Sequence, residues 1–132
     1  MSGRFFDSNV PLYLLSPDSD KAAIAEGLLV GGGTISVQVL NEIANVARRK
    51  LRLEWTAIQR FFADLDVLVE VVPLNRATHD SGLRLAARYG LAVYDAMIVA
   101  AALEAKCDVL YSEDMHDGLW VDDRLRIVNP FG

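Results

Sequence analysis

The residues Leu91-Ala92-Val93-Tyr94-Asp95-Ala96-Met97-Ile98-Val99-Ala100-Ala101-Ala102-Leu103, with Val109-Leu110-Tyr111-Ser112-Glu113-Asp114 just after them, decide how the chain is read. The first run is long enough and apolar enough for a buried helix. The second is a short apolar strand that ends on acidic residues. A helix feeding a buried strand is the repeating unit of an α/β protein with a mainly parallel sheet. Asp95 is the anomaly in the helical run, since Ile98 and Val99 are its same-face neighbours at i+3 and i+4. An ionised carboxylate held against such a face is costly unless something positive compensates it. No Lys or Arg lies within a turn of it, which makes a metal ion a candidate.

Working outward, the same alternation runs through the chain. Arg4 to Phe6 reads as a strand ending at Asp7, followed by a turn or short helix through Leu15. Asp18 to Val30 carries Ala22, Ala25, Leu28 and Leu29 at helical spacing and is stopped by Gly31-Gly32-Gly33. A strand at Thr34 to Ile35 leads to Ser36, a good N-cap. The next helix has Val37, Leu40, Ala44, Ala47 and Leu51 on one face, with Glu42 at its border beside Val39 and Val46. A further helix, Glu54 to Leu68, shows a Trp55, Ile58, Phe62 and Leu65 stripe with Phe61 alongside. Val69 to Leu74 is a β-branched strand, Asn75 caps a helix ending at Tyr89-Gly90, and the Asp95 helix follows. Strands at Asp108 to Tyr111 and Leu125 to Val128 complete the pattern. No linker or internal repeat breaks it, so residues 1–132 are expected to form one domain.

Composition narrows the function classes. The 132 residues are 52% hydrophobic, enough for a substantial core. The N-terminal stretch Met1 to Asp7 has no apolar run of signal-peptide length, and Asp95 interrupts the longest apolar region, so a cytoplasmic location is expected. Cys107 is the only cysteine, which excludes an internal disulfide and any cysteine-rich zinc site. A net charge of −5 argues against one broad basic nucleic-acid surface but not against a nuclease, because bound divalent ions reverse the sign of an acidic site.

Several motifs fall away on inspection. The triglycine precedes a strand and has no Gly-Lys-Ser/Thr after it, so it is a helix stop rather than a phosphate loop. His79 and His116 lack a second histidine at metal-ligand spacing; His79 reads as a surface residue, and His116 lies beside the acidic loop. There is no Gly-x-Ser-x-Gly elbow. Arg48-Arg49-Lys50 and Arg52 sit where positive charge suits a helix C-terminus, and successive residues splay around the helix. A solvated helix end is therefore preferred over a phosphate-binding patch.

The acidic residues do not fall away. Asp7 and Asp114 stand at the ends of strands, where open parallel sheets place their sites. Glu42 and Asp95 stand on helices that start at the same edge. Asp7 could cap a helix, Glu42 could be solvated, and Asp114 and Asp117 could cap turns. Asp95 has no such alternative, and it tips the balance towards a shared site.

Four segments then resemble the PIN-domain ribonucleases of the VapC toxin type. They are Phe6-Asp7-Ser8-Asn9-Val10, Ser36-Val37-Gln38-Val39-Leu40-Asn41-Glu42, Leu91 to Ala96 with its Leu-x-x-x-Asp-Ala pattern, and Leu110-Tyr111-Ser112-Glu113-Asp114-Met115. In this order and at these separations they span almost the whole chain. The resemblance implies a PIN-like three-layer α/β fold, with a short mainly parallel sheet flanked by helices. It implies that Asp7, Glu42, Asp95 and Asp114 gather as catalytic and metal-binding carboxylates, supplemented by Asp117. Ser8, Asn9, Ser36 and Ser112 would orient them. It further implies an endoribonuclease using Mg²⁺ or Mn²⁺, neutralised by a small antitoxin protein, and a homodimer. The stripe from Trp55 to Leu65 and the segment Pro11-Leu12-Tyr13-Leu14-Leu15 supply aromatic and aliphatic anchors for such a partner, although core packing accounts for much of both.

The ligand chemistry agrees. Mg²⁺ and Mn²⁺ prefer carboxylate and water oxygens. Crowded carboxylates raise one another's proton affinity until a cation relieves them. Among rivals, a phospho-acceptor domain needs a Lys beyond a late strand, and Lys21, Lys50 and Lys106 all precede Val109. An Asp-x-Asp phosphatase is disfavoured because Ser8-Asn9 follows Asp7. A catalytically inert module whose acidic pocket receives a basic peptide is the remaining alternative.

Overall fold

A computed structural model describes residues 3–132; Met1 and Ser2, part of the N-terminal stretch considered above, lie outside the described residues. The strands are β1 (Gly3–Phe6), β2 (Gly33–Ser36), β3 (Val69–Val72), β4 (Cys107–Tyr111), β5 (Trp120–Val121) and β6 (Leu125–Val128). The α-helices are α1 (Asn9–Leu12), α2 (Ser19–Val30), α3 (Val37–Arg49), α4 (Trp55–Leu68), α5 (Arg76–Tyr89) and α6 (Val93–Glu104), with a 3₁₀ turn at Tyr13–Leu15.

The sheet runs β3-β2-β1-β4-β6-β5. All neighbours are parallel except β5, which pairs antiparallel with β6. The chain leaves β1 in one direction to lay down β2 and β3, then returns to add β4 on the other side of β1. This reversal opens a crevice at the carboxyl ends of β1 and β4, the place where such sheets hold ligands. Phe6 pairs with Tyr111 at those ends, and the Asp7 amide continues the ladder to the Tyr111 carbonyl at 2.9 Å. The register therefore sets Asp7 beside Ser112.

Helix α6 explains its own composition. Every residue from Ala96 to Leu103 is buried as it packs against β4, β2 and α5. No single helix among the described residues is long and apolar enough to cross a membrane. Local signals act as expected at Ser36 and Asn75, which accept from the N–H groups of Val39 and Thr78, and at Gly90, which ends α5 at φ 69°; Asp18 caps α2 in the same way through the Lys21 N–H. The triglycine does more than stop α2. Gly32 adopts φ 83°, and the Arg4 guanidinium donates to the Gly32 and Leu28 carbonyls at 2.7 and 2.5 Å, capping α2 from β1. A Cβ on Gly33 would overlap the Phe6 ring.

Four expectations need correction. The face of α3 against the core is Val39, Ile43 and Ala47, while Val37, Leu40 and Ala44 are half-buried and Leu51 is exposed. Both faces carry apolar residues at helical spacing, so the period alone does not choose the one that meets the core. Trp55 is 55% exposed at the first position of α4, ahead of the buried Ile58 and Leu65. Strand β3 ends at Val72, ahead of Pro73 and Leu74. Strand β5 was not expected at all, because two residues are too few to show a period.

Candidate active site

Asp7 is the centre of the crevice and is only 3% exposed. Its Oδ1 accepts from the Ser8 backbone N–H at 2.7 Å. Its Oδ2 accepts from the Ser112 hydroxyl at 2.7 Å and the Asn9 amide at 3.2 Å. Burial pushes the Asp7 pKa up to about 6; the Ser112 and Ser8 hydrogen bonds oppose this, and the charges of Glu42 and Asp95 add to it. The site thus holds a carboxylate that is reluctant to ionise until positive charge arrives.

The neighbouring acids are tied to Asp7 by short polar side chains. The Ser8 hydroxyl lies 3.0 Å from Glu42 Oε1 and donates there, its 3.5 Å separation from Asp7 being the weaker contact. Gln38, one turn before Glu42 on α3, donates to Oε2 at 3.2 Å. Asn9 is a bridge: its amide nitrogen donates to Asp7 and to Asp114 Oδ2, each at 3.2 Å, and its carbonyl accepts from the Glu113 N–H. Ser112 is a second bridge, accepting from the Asp114 and Met115 amides at 3.2 Å while it donates to Asp7.

Asp95 enters differently. It is half-buried in the first turn of α6, where the unpaired N–H groups of the helix favour negative charge. This supplies part of the compensation that its sequence neighbours lack. Burial raises its pKa, and the charges of Glu42 and Asp114 raise it further.

Asp7, Glu42, Asp95 and Asp114 therefore share one electrostatic neighbourhood. They do not close on a point: among the described residues, no three Asp, Glu, His or Cys side chains are placed to hold one ion between them. The donor set is oxygen only, which suits a hard divalent cation that keeps several waters rather than a dry protein cage. Asp117 is exposed, with Oδ1 accepting from the Asn129 N–H at 2.8 Å. The fully buried Ser36 hydroxyl bonds the Val39 N–H at 3.3 Å, fixing the start of α3 and so the placement of Glu42. His116 and His79 are exposed, and Cys107 is buried.

Some contributors were not singled out in the sequence. Gln38 could have been, since it sits four residues before Glu42 on one helix. Glu113 carries the Asp114 loop and pairs with Lys21 of α2 at 2.6 Å. Tyr13 also bonds Glu113, and its ring packs on Phe131. An apolar hollow of about 160 Å³, lined by Leu12, Tyr13, Leu15, Val46 and Leu51, begins at Asn9.

Comparison with known proteins places this geometry. A family model described as the PIN domain matches residues 4–116. No curated protein sequence gives a significant match. Among solved structures, a toxin-antitoxin complex from Klebsiella pneumoniae contains a chain 20% identical to this one, with a TM-score of 0.74 and coverage of 97% of this chain and 98% of that one. Mycobacterium tuberculosis VapC20, described as a sarcin-ricin loop cleaving toxin, is 17% identical with a TM-score of 0.69, over 85% of this chain and 92% of its own. DNA-bound VapBC from Salmonella typhimurium is 19% identical with a TM-score of 0.62, over 96% and 97%. At these identities the likeness shows the fold.

Proposed function

We propose that this chain, which belongs to the PIN-domain family, is a single-domain, divalent-metal-dependent endoribonuclease acting as the toxin of a VapBC-type pair. The observation that carries this reading is the gathering of Asp7, Glu42, Asp95 and Asp114 around the crevice at the carboxyl ends of β1 and β4, with Asp7 buried and held near a pKa of 6. Four acids in mutual repulsion have no structural value of their own, whereas a phosphodiester hydrolase needs such a cation trap.

Asp7, Asp95 and Asp114 would hold Mg²⁺ or Mn²⁺, with Glu42 sharing the ion or accepting a proton from water. Such an ion, when bound, supplies charge for the scissile phosphate and acidifies a water. Ser8, Asn9 and Ser112 keep the carboxylates aimed, Asn9 by bridging two of them and Ser112 by fixing the Asp114 loop. Glu113 and Lys21 hold that loop from behind. Asp117, held by the Asn129 N–H, would supplement the metal-binding carboxylates.

The apolar hollow beside Asn9 suits a small antitoxin that lays aliphatic anchors along it and turns a cationic side chain towards the acids. A homodimer would give each acidic protomer a joint RNA groove. The cytoplasm, where RNA substrates are found, is the compartment this role requires.

The direct test compares the purified protein with Asp95→Asn on an RNA substrate, with Mg²⁺ and with EDTA. Cleavage that needs both Asp95 and the ion is expected, with folding unchanged by circular dichroism. Parental cleavage by the variant would remove Asp95 from the site. No cleavage by the parent under any divalent ion would favour the peptide-binding module.

A further inference from the structure

Four of the 13 Lys and Arg residues in this acidic chain fall within residues 48–52. A helix C-terminus accounts for Arg48 and Arg49, which close α3. It does not account for Arg52. That residue lies beyond the helix with φ 56°, a left-handed backbone that a non-glycine residue adopts only at a cost. The turn brings Arg52 back to line one hollow of about 340 Å³ together with Arg48 and Arg49. Arg48 is steadied there by the Leu53 carbonyl at 3.0 Å and by the Trp55 ring, whose centroid lies 4.9 Å from its Cζ. Among the described residues, none of these cations pairs with a carboxylate.

Three arginines lining one hollow, without a carboxylate partner, concentrate positive charge that an anion would offset. The exposed indole beside them offers a flat surface as well. Phosphate-binding arginines next to an open aromatic ring form the recognition chemistry of a single-stranded polynucleotide, which needs charge for its backbone and a platform for a base. The hollow also has a route to the carboxylates. Arg49 follows Glu42 by seven residues on α3, so it shares that face about 10.5 Å further along the axis. Asn45, Val46, Arg49 and Lys50 line a second hollow between them, of about 310 Å³.

We propose that Arg48, Arg49, Arg52 and Trp55 form an anchoring subsite for the RNA strand, holding phosphates and one base a short way from the bond that is cut. This rests on the nuclease reading, so the test separates the two. Binding of a fluorescein-labelled single-stranded RNA 20-mer is followed by anisotropy in EDTA across a KCl series. The double variant Arg49→Gln/Arg52→Gln is expected to weaken binding roughly tenfold and to lower the slope of log K against log[KCl] by about 1.4, two phosphate contacts on a single strand. Arg49→Lys/Arg52→Lys, which keeps the charge, is expected to retain the slope. RNA is expected to quench Trp55 fluorescence in Trp120→Phe and to leave Trp120 unquenched in Trp55→Phe. Absent RNA binding by the parent, parental affinity and slope in the Gln variant, or quenching of Trp120 instead of Trp55 would each overturn the anchor. Cleavage of the same RNA by the parent with Mg²⁺ is scored separately. Arginine-dependent binding without cleavage defeats the nuclease reading, and cleavage with arginine-independent binding defeats only the anchor.

Discussion

Ser112 and Asp7 lie 105 residues apart in sequence, yet the Ser112 hydroxyl donates to Asp7 Oδ2 at 2.7 Å. The Ser112 Oγ in turn accepts from the amides of Asp114 and Met115. One hydroxyl thus stabilises the charge at the centre of the crevice and shapes the loop that carries its neighbour.

Ser112→Ala removes a buried hydrogen bond to a charged group and is expected to cost about 1.5–3 kcal/mol in urea unfolding at pH 8. The bond lowers the Asp7 pKa, so its loss moves that pKa further up. An unfolding midpoint equal to the parent's would show that the hydroxyl carries no weight.

In the metal-free chain, Asp7 titrates at about 6, against about 3.9 for an unperturbed Asp in the unfolded state. The folded state therefore keeps a proton that the unfolded state has lost. This contribution is full below about pH 4 and fades as pH rises through 6, by on the order of 3 kcal/mol. In EDTA, the urea midpoint is expected to be higher at pH 5 than at pH 8, and Asp7→Asn should flatten the profile. A midpoint that climbed from pH 5 to pH 8 would contradict the assignment.

Added Mg²⁺ should reverse this trend. A cation binds ionised carboxylates and stabilises whatever state presents them together. Thermal shift measurements should show a larger gain at pH 8 than at pH 5, and Asp95→Asn should reduce it. An equal gain at both pH values would place the ion elsewhere.

Lys21→Met frees Glu113 from its 2.6 Å partner and leaves Asp114 on a looser loop. The pair is partly exposed and screened by salt, so the melting temperature should hardly move. RNA cleavage should fall by roughly tenfold, because small misplacements of a catalytic group are expensive. A variant that melted early but cut normally would make the pair a matter of stability alone.

Two glycines should answer in opposite directions. A Cβ on Gly33 would overlap the Phe6 ring and lie 2.9 Å from the Arg4 carbonyl, so Gly33→Ala should cost about 1–3 kcal/mol. Gly27, inside α2, has nothing within 4 Å of such a Cβ, and Gly27→Ala should gain about 0.5–1 kcal/mol. Urea unfolding of both variants decides the matter.

What could be read from the sequence depended on how local its cause was. Ser36, Asn75 and Gly90 act on their own helix ends, and each does so in the structure. Asp7 and Asp114 could be placed because strand ends in a parallel sheet share an edge. Asp95 stands out in its apolar run as a charge with no cation nearby, and its place in the first turn of α6 supplies part of the compensation. The resemblance made Asn9 an orienting residue, but which two carboxylates it bridges shows only once β4 brings Asp114 within its reach. The Lys21–Glu113 pair and the Arg4 cap on α2 left no sequence signal, since each joins segments far apart in the chain. Arg48, Arg49 and Arg52 splay on an ideal helix and converge only because the chain turns back after it.

The return of the chain to β1 also has a consequence in time. Asp7 is made 105 residues before its partner Ser112. Strand β1 cannot acquire its β4 neighbour, nor Asp7 its Ser112 bond, until that intervening stretch has left the ribosome. A nascent chain therefore carries Asp7 through this interval without the partners that β4 supplies. The destructive activity proposed for it would begin only after β4 has joined β1.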